Sequence, residues 1–342
     1  MRVLVTGATG FVGGHTAKAL SDAGHSVRAL VRDPVRIDST LGPLGVQIDG
    51  HVVGDMTDSD AVDRALDDCD AVVHCAAVVS LKRAHAEEVA RANPLGARIV
   101  MDAAMKRDID PIVIVSSASA LKATDGARLR VDDPARASGS PYERSKAESV
   151  RLARQYQADG APITLTFPGG VVGPPVGGAF GETGAALAAH MKLASLPVPS
   201  AAMPIVDVRD IAAIHAALIE PGKGPRSYLC GGRTVTMTEL AVIYRELTGR
   251  RFPVLPVPGG AMRVTGRTLD ALARVFPIDT VMTKEAMEHF TRWIGSDDEG
   301  IETELGITYR PLRTTIADTL RALYEAGVVT AKQVGRLAAD ER

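Results

Sequence analysis

A chain of 342 residues that is 46 % hydrophobic can bury a large core, as one large domain or as a nucleotide-binding domain with a smaller partner. Its 39 Lys and Arg against 41 Asp and Glu leave a net charge of -2 with no basic face in the sequence, which excludes a nucleic-acid footprint. No run reaches the ~18 apolar residues of a membrane span, no charged leader precedes the first strand, and Cys69, Cys75 and Cys230 follow neither a disulfide nor a zinc spacing. The expectation is an unexported, cytoplasmic protein with reduced thiols and no metal site.

The chain opens on Val3-Leu-Val-Thr-Gly-Ala-Thr-Gly-Phe-Val-Gly13, an apolar run that reads as a buried strand ending in glycines at 7, 10 and 13. A helical pattern from Phe11 to Leu20 follows. Main-chain N–H groups at such a helix N-terminus face an anion, and the anion expected here is a dinucleotide pyrophosphate. The same glycines would also serve a tight turn that binds nothing. Val27–Val31, Val52–Val53, Ala71–Cys75 and Ile112–Val115 read as further strands between helical segments. That alternation predicts an α/β fold, a Rossmann-type doubly wound parallel sheet with ligands at the carboxyl ends of its strands.

The residues just after each strand are therefore the candidates. Arg32 ends the second strand, where a cation suits a 2′-phosphate and so NADP(H), with Arg36 as a second cation. The other reading makes Arg32 a surface charge and Asp33 the ribose ligand of NAD. Gly54-Asp55-Met56 ends the third strand. Asp55 can accept the adenine amino group while Met56 covers the ring, or Asp55 can cap the helix through Ala61 to Leu66. His74, inside an apolar run, is read as a packed or hydrogen-bonded histidine, and the small Ala76 and Ala77 let the main chain approach a cofactor.

Ile112–Val115 runs into Ser116-Ser117-Ala118-Ser119, and Tyr142 and Lys146 follow four apart in a helical stretch entered through Pro141, on one face of that helix. Reduction of a ketone by hydride builds negative charge on oxygen, which calls for a proton donor that can act as base in reverse. Tyr142 suits that task, Lys146 is the ammonium that would lower its pKa, and Ser117 would hold the carbonyl oxygen. A slip of one residue exchanges Ser117 with Ser116.

Thr6-Gly-Ala-Thr-Gly-Phe-Val-Gly13, the Ser116-Ser117 strand end and Tyr142-xxx-Lys146 resemble the extended short-chain dehydrogenase/reductase superfamily of NAD(P)-dependent epimerases, dehydratases and reductases. Asn93, Phe167-Pro-Gly-Gly-Val-Val-Gly-Pro174 and Ile205-Val-Asp-Val-Arg-Asp210 extend the resemblance along most of the chain, and Val27 to Pro34 is similar to the second strand of NADPH-using dihydroflavonol 4-reductases. The resemblance implies that Ser117, Tyr142 and Lys146 are catalytic. It places the cofactor against Gly7, Thr9, Gly10, Phe11, Val12, Gly13, Arg32, Asp55, Met56, Ala76, Ala77, Ser116, Tyr142, Lys146, Pro168, Gly169 and Val171. It also implies a homodimer through helices around residues 87–105 and 142–158. Two positions depart from the pattern: Ala120-Leu121-Lys122 stands where many members carry Val-Tyr-Gly, and Phe167 where many carry Arg. Both alter the pocket wall away from that of a sugar-nucleotide enzyme.

Beyond Gly173 the alternation breaks. Residues 1–172 with 205–232 are assigned to the dinucleotide-binding domain, 173–204 with 233–325 to an interleaved substrate lobe, and 326–342 to a tail, either an exposed helix or disordered. Thr183 to Leu196 reads as an apolar-faced helix and Tyr228 to Gly232 as a strand ending in a turn. In residues 260–275, Met262, Leu269, Leu272 and Val275 alternate with Arg263, Arg267 and Arg274, as a lid, a membrane-surface patch or an ordinary surface helix. Phe290, Trp293 and Tyr309 are read as packing residues, and Asp297-Asp298-Glu299 as a turn or helix start. The expected activity is an NADP(H)-dependent interconversion of ketone and secondary alcohol on a mainly apolar small molecule. The alternatives are an NAD-dependent nucleotide-sugar epimerase or dehydratase and a non-catalytic NADP(H)-binding sensor.

Overall fold

A computed structural model describes residues 1–79, 85–124, 128–196, 201–273, 287–288, 291 and 295–339. In chain order its first half comprises β1 (Arg2–Thr6), α1 (Phe11–Asp22), β2 (Ser26–Val31), α2 (Arg36–Leu41), β3 (His51–Val53), α3 (Ser59–Ala65), β4 (Ala71–His74), α4 (Ala86–Met105), β5 (Ile112–Val115) and α5 (Pro141–Ala158). The second half adds β6 (Ile163–Pro168), β7 (Val171–Val172), α6 (Gly181–Leu193), β8 (Ala202–Asp207), α7 (Val208–Ala217), β9 (Arg226–Cys230), β10 (Arg233–Thr236), α8 (Met237–Thr248) and α9 (Gly259–Leu272). Two more helices, Glu299–Thr303 and Leu312–Glu325, precede a short turn of helix at Ala331–Val334.

Seven strands form one parallel sheet in the order β3-β2-β1-β4-β5-β6-β9. The fold is the expected Rossmann-type doubly wound α/β sheet. Both faces are covered, and alternate residues of one strand serve different cores, as the period of 2 dictates. Leu4, Ile112 and Ile114 pack with Val62, Met101 and Val150 of α3, α4 and α5. Val3, Val5, Val113 and Val115 pack with Leu20 of α1 and Ile211 and Ile214 of α7 on the other side. The order of strand addition reverses between β1 and β4, and such a switch point opens a crevice beyond the strand ends.

A second, three-stranded sheet has the order β10-β8-β7. Its core joins Leu187 and Met191 of α6, Leu240 and Tyr244 of α8, and Ile316 and Leu320 of Leu312–Glu325. Residues 205–207 lie in β8, where Ile205 pairs with Arg233 and Val206 with Val171, and Val206 also packs into the core of the large sheet with Val5 and Ile211. The tail past Gly327 is corrected. Val329, Val334 and Leu337 are buried in the second core, and the Arg250 guanidinium binds the Met191 carbonyl at 3.1 Å and the Gln333 carbonyl.

Asp55 does not cap the third helix. That helix starts at Ser59, and the Asp58 carboxylate accepts Asp60 N–H at 3.0 Å and Ala61 N–H at 3.1 Å. Of the segment 260–275, Met262 is buried and Leu272 is exposed, while Arg274 and Val275 lie outside the described residues, as do Phe290 and Trp293. Tyr309 donates to Asp298 at 2.8 Å, and Asp298 precedes the helix Glu299–Thr303. No described helix is long and apolar enough to cross a membrane.

Candidate active site

The glycine turn is a surface of main chain. Gly7 has φ +73°, and a Cβ there would lie 2.9 Å from Ala76 Cα on the neighbouring strand end. Gly10 N–H donates to the Gly7 carbonyl at 2.9 Å, and a Cβ on Gly13 would sit 2.1 Å from that same oxygen. Gly10 is the N-cap of α1, with no side-chain cap and no acidic residue in the first turn. Phe11 sets its ring edge-on to His15, 5.9 Å between centroids, and Val12 is half-buried behind the turn. Beneath them, Thr6 Oγ1 is 2.8 Å from His74 Nδ1 and accepts Ala76 N–H at 3.2 Å, which makes His74 the hydrogen-bonded histidine that its apolar surroundings suggested.

Along the ends of β2 and β3, Arg32 is exposed, and Asp33 turns its carboxylate to Val35 N–H at 3.1 Å. Arg36 reaches back to the Thr9 carbonyl at 3.4 Å, so a second cation borders the glycine turn. Asp55 accepts from Thr57 N–H at 2.9 Å and from the Thr57 hydroxyl at 2.7 Å. Met56, expected to cover a ring, is instead turned into the core, where its Cγ would be 2.7 Å from a Cβ on Gly96 of α4. Ala77 follows Ala76 at the end of β4. Asn93 fixes the main chain just beyond, its amide bonding Val78 N–H at 2.7 Å, the Val78 carbonyl at 3.0 Å and Ser145 Oγ at 3.0 Å.

At the end of β5 the site is made of side chains. α5 is entered through Pro141 behind a capping box between Ser140 and Glu143, which sets its first turn beside the serines. The Ser117 hydroxyl stands beside the Tyr142 phenol and favours its phenolate. Ser117 Oγ also lies 2.9 Å from Ser119 Oγ and accepts Ser119 N–H at 3.2 Å. Ser116 points elsewhere: its N–H enters the sheet on the Thr166 carbonyl at 2.8 Å and its hydroxyl is buried. Of the two serines, Ser117 is the one whose hydroxyl acts on the phenol.

Lys146 is buried, and its Nζ donates to the Val115 carbonyl at 2.9 Å. Burial pushes Lys146 down to about 8. Burial also raises the Tyr142 phenol to about 12, against the Ser117 hydrogen bond and with Glu143 and Glu182 adding to the rise. The expectation that the ammonium lowers the phenol's pKa is therefore corrected: Lys146 is committed to a carbonyl, and desolvation outweighs the hydroxyl.

Ser117 opens onto a cavity of about 250 Å³ lined by Ser117, Ala118, Ser119, Pro168, Gly169, Gly170, Thr183, Ala202, Met203 and Pro204. Among the described residues, no lining side chain is charged. Close approach of main chain builds the wall: a Cβ on Gly169 would be 2.4 Å from the Gly231 carbonyl, and one on Gly170 2.4 Å from the Pro204 carbonyl. Val171 lies in β7 just beyond. Sequence reasoning missed Ser119, Thr183 and Met203. A hydroxyl two residues past Ser117 was a usable signal for the first, whereas the others arrive from the second lobe and have none.

Comparison with known proteins bears on this arrangement. The family model described as "NAD dependent epimerase/dehydratase family" matches residues 3–231. The chain belongs to that family. It is 28% identical over 344 residues to "Sterol demethylase protein B" of Methylococcus capsulatus (strain ATCC 33009 / NCIMB 11132 / Bath), covering 96% of this chain and 100% of the relative. A protein of Synechocystis sp. (strain ATCC 27184 / PCC 6803 / Kazusa), named provisionally as a dihydroflavonol 4-reductase, is 30% identical over 267 residues, 74% of each chain. The crystal structure of gox2253 superposes with a TM-score of 0.81 at 27% identity, covering 96% of this chain and 99% of that one.

This epimerase/dehydratase-family member is an NAD(P)-dependent oxidoreductase acting on CH–OH or keto groups. Its residues fit a dinucleotide. The uncapped start of α1 offers N–H groups and the positive end of the helix dipole to a pyrophosphate, and the glycine cradle has no room for a Cβ where that group must approach.

Proposed function

We propose that this protein is an NADP(H)-dependent oxidoreductase interconverting a ketone and a secondary alcohol on a mainly apolar small molecule, with Ser117, Tyr142 and Lys146 as its catalytic groups. The observation that carries the reading is the Ser117 hydroxyl, which favours the Tyr142 phenolate, at the edge of a cavity whose described lining residues carry no charge. The nicotinamide supplies or accepts the hydride when bound. Tyr142 donates the proton to the oxygen that becomes negative, and Ser117 donates a hydrogen bond to the same oxygen. A phenol held near 12 stays protonated at neutral pH, which suits the reducing direction, while alkaline solution favours oxidation. Lys146, whose ammonium has donors beyond the one on the Val115 carbonyl, would hold a ribose hydroxyl of the bound cofactor and supply positive charge there.

Arg32 and Arg36 favour NADP(H), because they flank the β2 end and the glycine turn while Asp33 is engaged by its own loop. A nucleotide-sugar substrate brings a diphosphate, and none of the described residues lining the cavity carries a cation to meet it. A purely cofactor-binding sensor has no need of the Ser117–Tyr142 contact. The paired helices α4 and α5 are the candidate faces for a homodimer.

The reading is tested by following nicotinamide absorbance with a panel of ketones and secondary alcohols, supplying both cofactors. NADPH should exceed NADH by roughly 10-fold or more in kcat/KM on an apolar ketone, through its additional phosphate contacts. A clear NADH preference overturns the role given to Arg32 and Arg36. Turnover of nucleotide sugars alone, with NAD(H) retained and no net consumption, overturns the reaction.

A further inference from the structure

We propose that Arg136 is a positioning residue of this site, tying the Ser117 turn to the end of α5 that carries Tyr142. The proposal rests on the proton-donor reading of Tyr142. Arg136 stands in the connection between β5 and α5, and its side chain reaches both. Its Nε donates to the Ser119 carbonyl at 2.9 Å and lies 4.0 Å from Glu143 Oε1. Its own N–H donates to the Ala120 carbonyl at 2.8 Å, so main chain and side chain both grip the turn that follows Ser117. Leu121 and Ala135 form an isolated antiparallel bridge at the same place, and Lys122 N–H donates to the Pro134 carbonyl at 2.9 Å. The Arg136 carbonyl in turn accepts Arg151 Nη2 of α5 at 2.6 Å.

The result is a closed circuit. Tyr142 contacts Ser117, Ser117 is held by Ser119, the Ser119 carbonyl is held by Arg136, and Arg136 faces Glu143, the residue next to Tyr142. Glu143 is itself fixed, since its Oε2 accepts Ser140 N–H at 2.8 Å in the capping box. The Nε–H of Arg136 is spent on the Ser119 carbonyl while the delocalised guanidinium charge faces the Glu143 carboxylate, so one planar cation serves both. Two consequences follow. The distance between the Ser117 hydroxyl and the phenol is set by Arg136 as well as by the sheet, and the Glu143 charge beside the phenol is partly offset.

The charged and titratable groups around that phenol are Glu143 on its own helix, Glu182 from the start of α6, Lys146 one turn along and Arg136 behind Glu143; Ser117 supplies the facing hydroxyl. Of these the two carboxylates disfavour the phenolate. Deleting Arg136 unmasks one of them. The phenol then ionises at higher pH, so alcohol oxidation, which requires the phenolate as base, needs a more alkaline solution.

The test compares wild type, Arg136→Ala, Arg136→Gln, Arg136→Lys and the double variant Arg136→Ala/Glu143→Gln. The readouts are the pH profile of kcat for oxidation of the secondary alcohol selected by the panel, KM for NADP⁺, and hydrogen exchange of segments 117–121 and 140–146. Arg136→Ala should lower kcat roughly 10-fold by misplacement of the donor pair while KM for NADP⁺ stays within about 2-fold. Its alkaline-rising limb should move up by about half a pH unit, the scale of a charge pair whose members stand 4.0 Å apart without a direct hydrogen bond. Removing the Glu143 charge in the double variant should return the limb to its wild-type position without restoring kcat. Arg136→Lys should keep the limb and recover part of kcat, and Arg136→Gln, which keeps a donor for the Ser119 carbonyl, should retain exchange protection but not the limb.

An unmoved limb in Arg136→Ala, or in Arg136→Gln should the alanine variant not fold, overturns the proposal, as does a wild-type kcat. Tyr142→Phe run alongside separates the two levels. If it stays active the proton-donor reading is what fails, while the exchange data still decide whether Arg136 ties the two segments together.

Discussion

Where β1 ends the site is built of main chain, with Gly7 at φ +73°, Gly10 folded onto the Gly7 carbonyl and Gly13 lacking space for a Cβ. Where β5 ends it is built of side chains, with the Ser117 hydroxyl on the phenol of Tyr142 and Lys146 on the Val115 carbonyl. A surface of backbone N–H groups is damaged by adding atoms, because any Cβ displaces the ligand or the neighbouring strand. A constellation of side chains is damaged by removing them, because the fold does not depend on the lost oxygen. The two regions should therefore separate affinity from rate under mutation. Tyr142→Phe, which deletes one oxygen from the second region, should lower kcat by roughly 10³-fold, the range of a lost general acid. Its NADPH affinity, measured by fluorescence titration, should stay within about 2-fold of wild type. Substantial turnover in a pure preparation, or a large loss of NADPH affinity, would erase the distinction.

The opposite edit belongs to the first region. In Gly13→Ala the new methyl would meet the Gly7 carbonyl at 2.1 Å, and both partners are backbone, so α1 must move away from the end of β1. Cofactor affinity should fall roughly 10- to 100-fold, while kcat at saturating cofactor falls far less. Gly42→Ala is the control, since Gly42 has φ -54° and nothing within 4 Å of its Cβ position. If the two alanine variants bound NADPH equally well, the cradle would not be the cofactor's seat.

The same contrast explains what could be read from the chain. The first five strands and the glycine turn were legible because each strand is a short apolar run and each turn is punctuated by the residue its geometry needs. Ser117, Tyr142 and Lys146 were legible because they stand at a strand end and on one helix face. The ambiguity at Asp55 was local: two aspartates three apart can both cap, and Asp58 has the extended backbone that leads directly into the helix. The second lobe carried no such signal. Val329, Val334 and Leu337 are too few to define an apolar face, and their burial depends on α8 and on Arg250, far away in sequence. Arg136 was invisible for the same reason, as its contact with the Ser119 carbonyl spans a loop without pattern.

The main-chain region also rests on two buried imidazoles, which gives the comparison its smallest consequence. His74 lies 2.8 Å from Thr6 Oγ1 beneath the glycine turn, and His215 of α7 sits between Thr16 of α1 at 2.8 Å and Thr166 of β6 at 3.3 Å. Burial pushes each down to about 3. The unfolded chain, with histidines near ~6.5, binds more protons than the native state between those two values. Their contribution to stability is thus fully present above ~6.5 and is lost as the pH falls toward 3, at about 1.4 kcal/mol per pH unit for each histidine. Thermal melts should therefore show Tm falling between about pH 6.5 and pH 5, with a shallower slope in His215→Gln than in wild type although the variant is less stable at neutral pH. Equal slopes in the two proteins would mean that His215 becomes charged without opening the α1–α7 contact, and that the backbone cradle does not depend on a neutral ring beneath it.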